Sequence, residues 1–195
     1  MGVDNAMAYR HPHSERGHDL YETPECATKA LLANVRLPRK IWEPACGRGA
    51  ISRVLKDAGH EVYSSDLIDY GYGDKAGLNF LDIGKFQHRA GAIVTNPPFK
   101  HANAFARLAI ERAPMVCMLL RLAFLEGWRD PDRREALDGG SLAEVLVFKH
   151  RLPMMHRDGW DGPKANSGTA FAWFVWHRNH TGPISIRRID WWEAA

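Results

Sequence analysis

A strand, a glycine turn, a helix and a second strand follow one another early in the sequence, and this run constrains the fold more than any other feature. Lys40–Ala45 has the composition of a buried strand, and the turn Cys46-Gly47-Arg48-Gly49 leads into the helical segment Ala50–Ala58. Glu61–Ser65 follows as a second strand. Two strands joined through a helix form a right-handed unit of a parallel sheet. Because glycine lets a ligand approach the backbone, the run predicts half of a nucleotide-binding unit, although ordinary turns also have this composition.

Acidic residues follow the second strand. Asp66 comes directly after it, roughly 20 residues beyond the first strand. A carboxylate at this place can accept hydrogen bonds from both hydroxyls of a ribose. Asp69 is an alternative for the same role, and a solvent-facing loop aspartate is the simpler interpretation. The short apolar stretch Asn79–Asp82 ends in an acid, and Asp82 could therefore contact the adenine amino group of a nucleoside.

Asn96 stands at the end of another buried strand. The stretch Ala92–Thr95 is short, apolar and partly β-branched, and two prolines after Asn96 prevent the strand from continuing. The side chain of Asn96 is therefore held at the carboxyl end of a strand, where open α/β sheets bind their ligands. Together with the carbonyl of Pro97 and the ring of Phe99, its amide could hold a flat group that bears an amine. A strand-ending turn is the alternative interpretation.

Helices and strands alternate through the rest of the chain. The sequence predicts a helix that ends near Asn34, with Thr23 as N-cap and Pro24 as its first residue, and a second helix over Ala102–Ala113. Four later segments are predicted to be strands: Met115–Leu120, Ala143–Phe148, Thr169–Trp176 and Ile184–Ile189. The last strands lack intervening helices, which favours an antiparallel pair at one edge. The predicted fold is a Rossmann-like, three-layer α/β/α sandwich with a mostly parallel, seven-stranded sheet.

Length and composition limit the classes of protein that this chain can represent. The 195 residues suffice for one domain, which we expect at residues 19–195, after a polar, histidine-rich arm at residues 1–18. A solvated tail explains the arm better than a metal site, so no metal ligands are assigned. No apolar stretch is long enough to span a bilayer, and three cysteines without paired spacing fit a reducing compartment. We therefore expect a cytoplasmic protein. Its net charge of +3 permits a nucleic-acid partner without requiring one.

The stretch Glu43–Gly49, Asp66, Asp82 and the sequence Asn96-Pro97-Pro98-Phe99 together resemble the class I S-adenosylmethionine-dependent methyltransferases. The closest resemblance is to the amino-methyltransferase branch, and within it to small phage- and prophage-type DNA adenine-N6 methyltransferases, whose amino-terminal cofactor motif resembles Tyr21-x-Thr23-Pro24. The resemblance implies an acceptor site at Asn96, Pro97, Pro98 and Phe99. It implies that these residues bind S-adenosylmethionine: Tyr21, Thr23, Pro24, Glu43, Pro44, Ala45, Cys46, Gly47, Gly49, Asp66, Leu67, Phe80, Asp82 and Asn96.

The chain has no room for a separate target-recognition domain, so nucleic-acid contacts are expected from its loops. The candidates are Lys100, Arg129, Arg133, Arg134, Lys149, Arg151, Arg157, Trp160 and Lys164. For the cations a solvated surface position is an equal alternative, and for Trp160 a half-buried anchor is another. We expect a monomer or weak homodimer that acts on DNA rather than RNA.

Other families share parts of this pattern. The sequence Asn96–Phe99 followed by Lys100-His101 also resembles the ribosomal-RNA guanine-N2 methyltransferases, and similar turns occur in glutamine methyltransferases that act on release factors. Both usually carry a further amino-terminal domain. An RNA adenine-N6 methyltransferase is the nearest alternative, because the same asparagine chemistry serves both polymers. A nucleic-acid-binding or scaffold protein that retains the fold is the non-enzymatic alternative, and the intact glycines and acids argue against it.

Overall fold

One seven-stranded sheet organises the structure, a computed structural model that describes residues 20–82, 84, 88–153 and 168–192. The strands are β1 (Lys40–Glu43), β2 (Glu61–Ser64), β3 (Ala92–Thr95), β4 (Met115–Arg121), β5 (Leu142–Phe148), β6 (Phe171–His177) and β7 (Ser185–Ile189). Their order across the sheet is β2-β1-β3-β4-β6-β5-β7. The prediction of a seven-stranded, mostly parallel sheet is confirmed.

The strand β6 runs antiparallel to both of its neighbours, β4 and β5. The other neighbouring strands pair in parallel, including the outermost strand β7 with β5. The expected antiparallel pairing therefore lies near one edge, with the parallel strand β7 beyond it. Because β6 runs in the opposite direction, its amino end reaches the rim where the parallel strands have their carboxyl ends. Phe171, the first residue of β6, consequently pairs with Arg121, the last residue of β4.

Helices cover both faces of the sheet. They are α1 (Glu25–Asn34), α2 (Ala50–Asp57), α3 (Ala102–Arg112) and α4 (Pro131–Asp138). Alternate strand residues point to opposite faces, so Leu119 packs on the side of α1 and α2, while Met118 packs on the side of α3 and α4. These layers form the predicted three-layer sandwich. Within the described ranges, no helix has the length and apolar character that crossing a membrane requires.

Two buried tryptophans of β6 attach a helix to each face. The Nε1–H group of Trp173 donates to the carbonyl of Ala27 in α1 at 2.8 Å, and that of Trp176 donates to the carbonyl of Ala136 in α4 at 2.7 Å. A buried indole N–H group needs an acceptor, because an unpaired donor in the core is costly. The strand β6 therefore fixes the positions of helices in both outer layers.

The start of α1 differs from the prediction. The helix begins at Glu25, with Pro24 as its N-cap residue and no side-chain cap. The prediction of Thr23 as N-cap is therefore wrong. Its hydroxyl oxygen accepts a hydrogen bond from Asn96, a residue on the rim of the sheet, instead of one from the helix.

Candidate active site

The glycine turn after β1 forms one side of the site. Gly47 and Gly49 have φ angles of 52° and 85°, in the left-handed region that favours glycine. The N–H group of Cys46 donates to the carbonyl of Ser65 at 3.0 Å, which attaches the turn to the end of β2. Burial raises the pKa of the Cys46 thiol to about 12, so this cysteine is not a thiolate nucleophile.

Asp66, which follows β2 in the sequence, lies against this turn. One of its carboxylate oxygens accepts from the N–H group of Gly47 at 2.8 Å, and the other accepts from the N–H group of Ile68 at 2.9 Å. The alternative carboxylate, Asp69, is exposed and accepts from the N–H group of Gly71 within its own loop. Of the two acids, Asp66 is the one in contact with the glycine turn.

Glu43 lies beneath the turn. Its side chain is 2% exposed and accepts a hydrogen bond from the hydroxyl of Ser52, which in turn is 2.6 Å from the hydroxyl of Ser64. Burial raises the pKa of the Glu43 carboxyl to about 8. The carboxyl therefore joins β1, α2 and β2 underneath the turn, and a bound ligand would meet the backbone above it.

Two side chains pack on the glycines from outside. A Cβ atom at Gly47 would lie 2.6 Å from Cδ1 of Leu20, and one at Gly49 would overlap the ring of Tyr72. The Tyr72 ring is also covered by the guanidinium of Arg53, at 4.6 Å from its centre. The absence of a side chain at both glycines therefore permits close packing of the chain itself. Neither Leu20 nor Tyr72 was identified from the sequence, because each approaches from a loop without regular spacing.

Asn96 is fixed at the rim by the segment before α1. Its Nδ2 group donates to the carbonyl of Tyr21 at 3.3 Å and to the hydroxyl oxygen of Thr23 at 3.1 Å. Its Oδ1 atom is buried and has no hydrogen-bond partner among the described residues. The neighbouring carbonyl of Pro97 likewise accepts no hydrogen bond from any described residue. Two acceptors at consecutive residues are thus left available.

Asn96 lies on the same rim of the sheet as the glycine turn. Strands β1 and β3 are parallel neighbours, so their carboxyl ends share one rim. Leu20 contacts Gly47, and the next residue, Tyr21, contacts Asn96. Two consecutive residues of one segment therefore link the glycine turn to Asn96.

Aromatic rings surround Phe99. Its ring centre lies 5.1 Å from that of Tyr21 and 5.8 Å from that of Phe171. The guanidinium carbon of Arg121 lies 4.4 Å from the same ring centre. Arg121 and Phe171 reach Phe99 because β6 is antiparallel, which places them opposite each other at the rim. Neither residue was identified from the sequence, because the position of β6 in the sheet was not predictable from local pattern.

Some of the predicted nucleic-acid contacts border this site. A pocket of about 220 Å³ beside Phe171 is lined by Lys149, His150 and Arg151. Lys149 also forms an ion pair with Asp190 at 3.6 Å. Three further predicted contacts are exposed cations: Lys100, Arg129 and Arg134. Arg157, Trp160 and Lys164 lie outside the described residues, as does the arm at residues 1–18.

Arg133, one of the predicted phosphate contacts, forms hydrogen bonds within the fold. The Nε group of Arg133 donates to the Oδ1 atom of Asn103 at 3.0 Å, and its NH1 group donates to the carbonyl of Glu126 at 2.6 Å. Its guanidinium also lies 5.2 Å from the ring centre of Phe124. Arg133 therefore joins α4 to α3 and to the preceding loop through two of its N–H donors.

The structure also corrects one predicted cofactor contact. The ring of Phe80 is 2% exposed and packs against Trp42 and Phe105, with ring centres 5.3 and 4.8 Å apart. Phe80 is therefore a core residue whose ring is closed to a ligand. The other two predicted contacts near it, Asp82 and Leu67, are exposed and remain accessible.

Comparison with known proteins shows the fold but not a family. No protein-family profile matches the sequence, and no curated protein matches it. Solved structures do match. The methyltransferase subunit of a type I restriction-modification system from Streptococcus thermophilus is 13% identical, with a TM-score of 0.60 over 86% of this chain and 47% of its own.

Two further structures are similar. The M protein of the type I restriction enzyme EcoKI is 14% identical, with a TM-score of 0.55 over 85% of this chain and 47% of its own. Magnesium protoporphyrin IX methyltransferase from Synechocystis, with bound S-adenosylmethionine, is 17% identical, with a TM-score of 0.51 over 78% of this chain and 76% of its own. This chain spans about half the length of the restriction-modification subunits it matches. Its fold is that of S-adenosylmethionine-dependent methyltransferases.

Proposed function

We propose that this chain is an S-adenosylmethionine-dependent methyltransferase that acts on an exocyclic amino nitrogen of a nucleobase, namely N6 of adenine in DNA. The observation that carries the proposal is the amide of Asn96, whose donors are both used while its buried oxygen has no partner. Leaving a buried acceptor unpaired costs about 1–3 kcal/mol. A ligand that donates an N–H group to this oxygen would remove that cost.

The acceptor chemistry explains why two such oxygens are needed. An aromatic amine is a poor nucleophile, because its lone pair is delocalised into the ring. Hydrogen bonds from its two N–H groups to Asn96 Oδ1 and to the Pro97 carbonyl favour a pyramidal nitrogen with an outward lone pair. The ring of Phe99, packed with Tyr21, Phe171 and Arg121, would form the aromatic side of the base site. The contribution of the protein is therefore orientation and electrostatics, without a covalent nucleophile.

The residues around the glycine turn fit the proposed cofactor. Each carboxylate oxygen of Asp66 accepts one backbone N–H group, and a carboxylate has lone pairs left for two ribose hydroxyls. The N–H group of Gly47 donates to this acid, and Leu20, which packs on Gly47, directly precedes the Tyr21 that holds Asn96. When bound, S-adenosylmethionine supplies an electrophilic methyl group on a sulfonium. Asp66 and the glycine turn would hold it at the rim that also carries Asn96.

Two features support a nucleic-acid substrate. Arg121, Lys149 and Arg151 place positive charge on the rim near Phe99, where a phosphate backbone could pass. The type I restriction-modification subunits among the structural neighbours suggest DNA as the substrate. An acceptor base must leave its stack to reach Asn96, so a flipped or single-stranded nucleotide is expected.

Transfer of a labelled methyl group to DNA, RNA and protein, measured in parallel and followed by nucleoside analysis, tests the proposal. We expect N6-methyladenine from DNA with the native chain and no product with Asn96→Ala. The variant should bind S-adenosylmethionine in calorimetry as the native chain does, because Asn96 acts on the acceptor. Label in RNA alone would establish the RNA alternative. Absence of binding heat would favour the scaffold alternative, and equal activity of the variant would exclude the proposed role of Asn96.

A further inference from the structure

We infer that Thr23 is a positioning residue for the proposed methyl transfer: with the backbone carbonyl of Tyr21, it fixes the Asn96 amide so that the amide oxygen faces the acceptor. The inference rests on the proposed function, and it assigns Thr23 a role toward Asn96 rather than toward the cofactor. Thr23 is separated from Asn96 by 73 residues in sequence, and its hydroxyl oxygen lies 3.1 Å from Asn96 Nδ2.

The Tyr21 carbonyl determines which way the amide points. A carbonyl oxygen only accepts hydrogen bonds, and it lies 3.3 Å from Asn96 Nδ2. If the amide turned over, Oδ1 would face this carbonyl and two acceptors would be in contact. The terminal torsion of an asparagine side chain is otherwise broad, so an isolated Asn96 would sample both orientations.

The Thr23 hydroxyl holds the second N–H group. Thr23 is 6% exposed, so water does not readily replace it if it is removed. Pro24 restricts Thr23 to extended backbone, and the helix α1 begins directly after Pro24. The hydroxyl is therefore attached to a rigid element. With both N–H groups held, the amide plane is fixed and Oδ1 is left as its free hydrogen-bonding atom.

Three variants test this role by kinetics. Thr23→Val keeps the shape and removes the hydroxyl, Thr23→Ser keeps the hydroxyl, and Thr28→Val is the matched control. Thr28, in α1, is also a buried threonine, but its hydroxyl has no partner among the described residues. We expect kcat to fall about tenfold in Thr23→Val, the effect of losing one hydrogen bond of about 1.4 kcal/mol. Thr23→Ser and Thr28→Val should keep kcat, and the dissociation constant for S-adenosylmethionine should stay unchanged in all three.

The side-chain amide of Asn96 gives a readout that does not need activity. Its two proton resonances, assigned by their loss in Asn96→Asp, should exchange slowly with solvent in the native chain. In Thr23→Val one of them should move upfield and exchange faster, while Thr28→Val should leave both unchanged. If the native chain methylates nothing, the proposed function fails, and these resonances still decide whether Thr23 fixes the amide. Native kcat in Thr23→Val, or rapid exchange of both protons in the native chain, would overturn the inference.

Discussion

The guanidinium of Arg121 lies over Phe99, with its central carbon 4.4 Å from the ring centre. Arg121 is the last residue of β4 and is exposed, so it combines an aromatic contact with access to solvent. A guanidinium in this position is attracted by the aromatic face and can also pair with a phosphate. Phe99, the aromatic residue of the proposed acceptor site, thus has a cation directly beside its ring.

Replacing Arg121 with alanine should weaken nucleic-acid binding. The slope of log affinity against log salt is negative. If the guanidinium contacts one phosphate, its loss should make this slope shallower by about 0.7–0.9. Anisotropy titrations with a labelled oligonucleotide at several salt concentrations would measure this slope. The matched control is Arg39→Ala, because Arg39 is exposed and pairs with Glu61 at the opposite end of the strands. The same slope in both variants would exclude a phosphate contact at Arg121.

Replacing Asp66 with alanine should weaken cofactor binding. The loss of charge-assisted hydrogen bonds predicts a decrease of about 1.5–3 kcal/mol in the binding free energy of S-adenosylmethionine. Calorimetric titration measures this directly. Asp69→Ala serves as control, because Asp69 contacts only its own loop and should leave the affinity unchanged. A larger loss in Asp69→Ala than in Asp66→Ala would assign the ribose to Asp69.

Glu43 should make stability depend on pH. Burial raises the pKa of its carboxyl from an ordinary 4.5 to about 8, so the folded protein keeps a proton that the unfolded chain releases. The free energy of unfolding should therefore fall as pH rises from about 4.5 to about 8, and this contribution should stay constant above that range.

Glu43→Gln tests this dependence, because glutamine stays neutral at every pH. Urea unfolding at about pH 5 and about pH 8 should show a smaller decrease in the variant than in the native chain. An equal decrease in both proteins would mean that other groups cause the pH dependence.

Two adjacent arginines should differ in their effect on stability. Arg133→Ala removes hydrogen bonds to Asn103 and to the carbonyl of Glu126, and should lower the free energy of unfolding by about 1–3 kcal/mol. Arg134→Ala changes an exposed side chain and should stay within about 0.5 kcal/mol. Denaturant unfolding of both variants checks this. Equal stabilities would show that the contacts of Arg133 contribute little.

The sequence predicted the fold well where local pattern determines structure. The elements from β1 to β3 follow from apolar runs, glycines and prolines, so the place of Asp66 and Asn96 at a common rim could be derived. The side chains that contact these two residues in space could not be derived from the sequence. The contact between Thr23 and Asn96 joins two distant segments, and an N-cap was the better local interpretation of a threonine before a proline.

Burial could not be derived from residue type alone. Phe80 was expected to contact a ligand, but its ring fills the core between Trp42 and Phe105. Arg133 was expected to contact a phosphate. In the structure two of its N–H groups donate to Asn103 and to the carbonyl of Glu126 of its own chain. Both outcomes depend on how helices pack over the sheet, which a single sequence does not specify.

The indole hydrogen bond of Trp173 to α1 has a consequence for synthesis of the chain. The helix at residues 25–34 leaves the ribosome early, but its acceptor at Ala27 meets its donor only after residue 173 has been made. During this interval the part of α1 that packs against β6 lacks its cover. Slow or interrupted translation should therefore favour aggregation, and folding in the cell should benefit from chaperones that bind nascent chains.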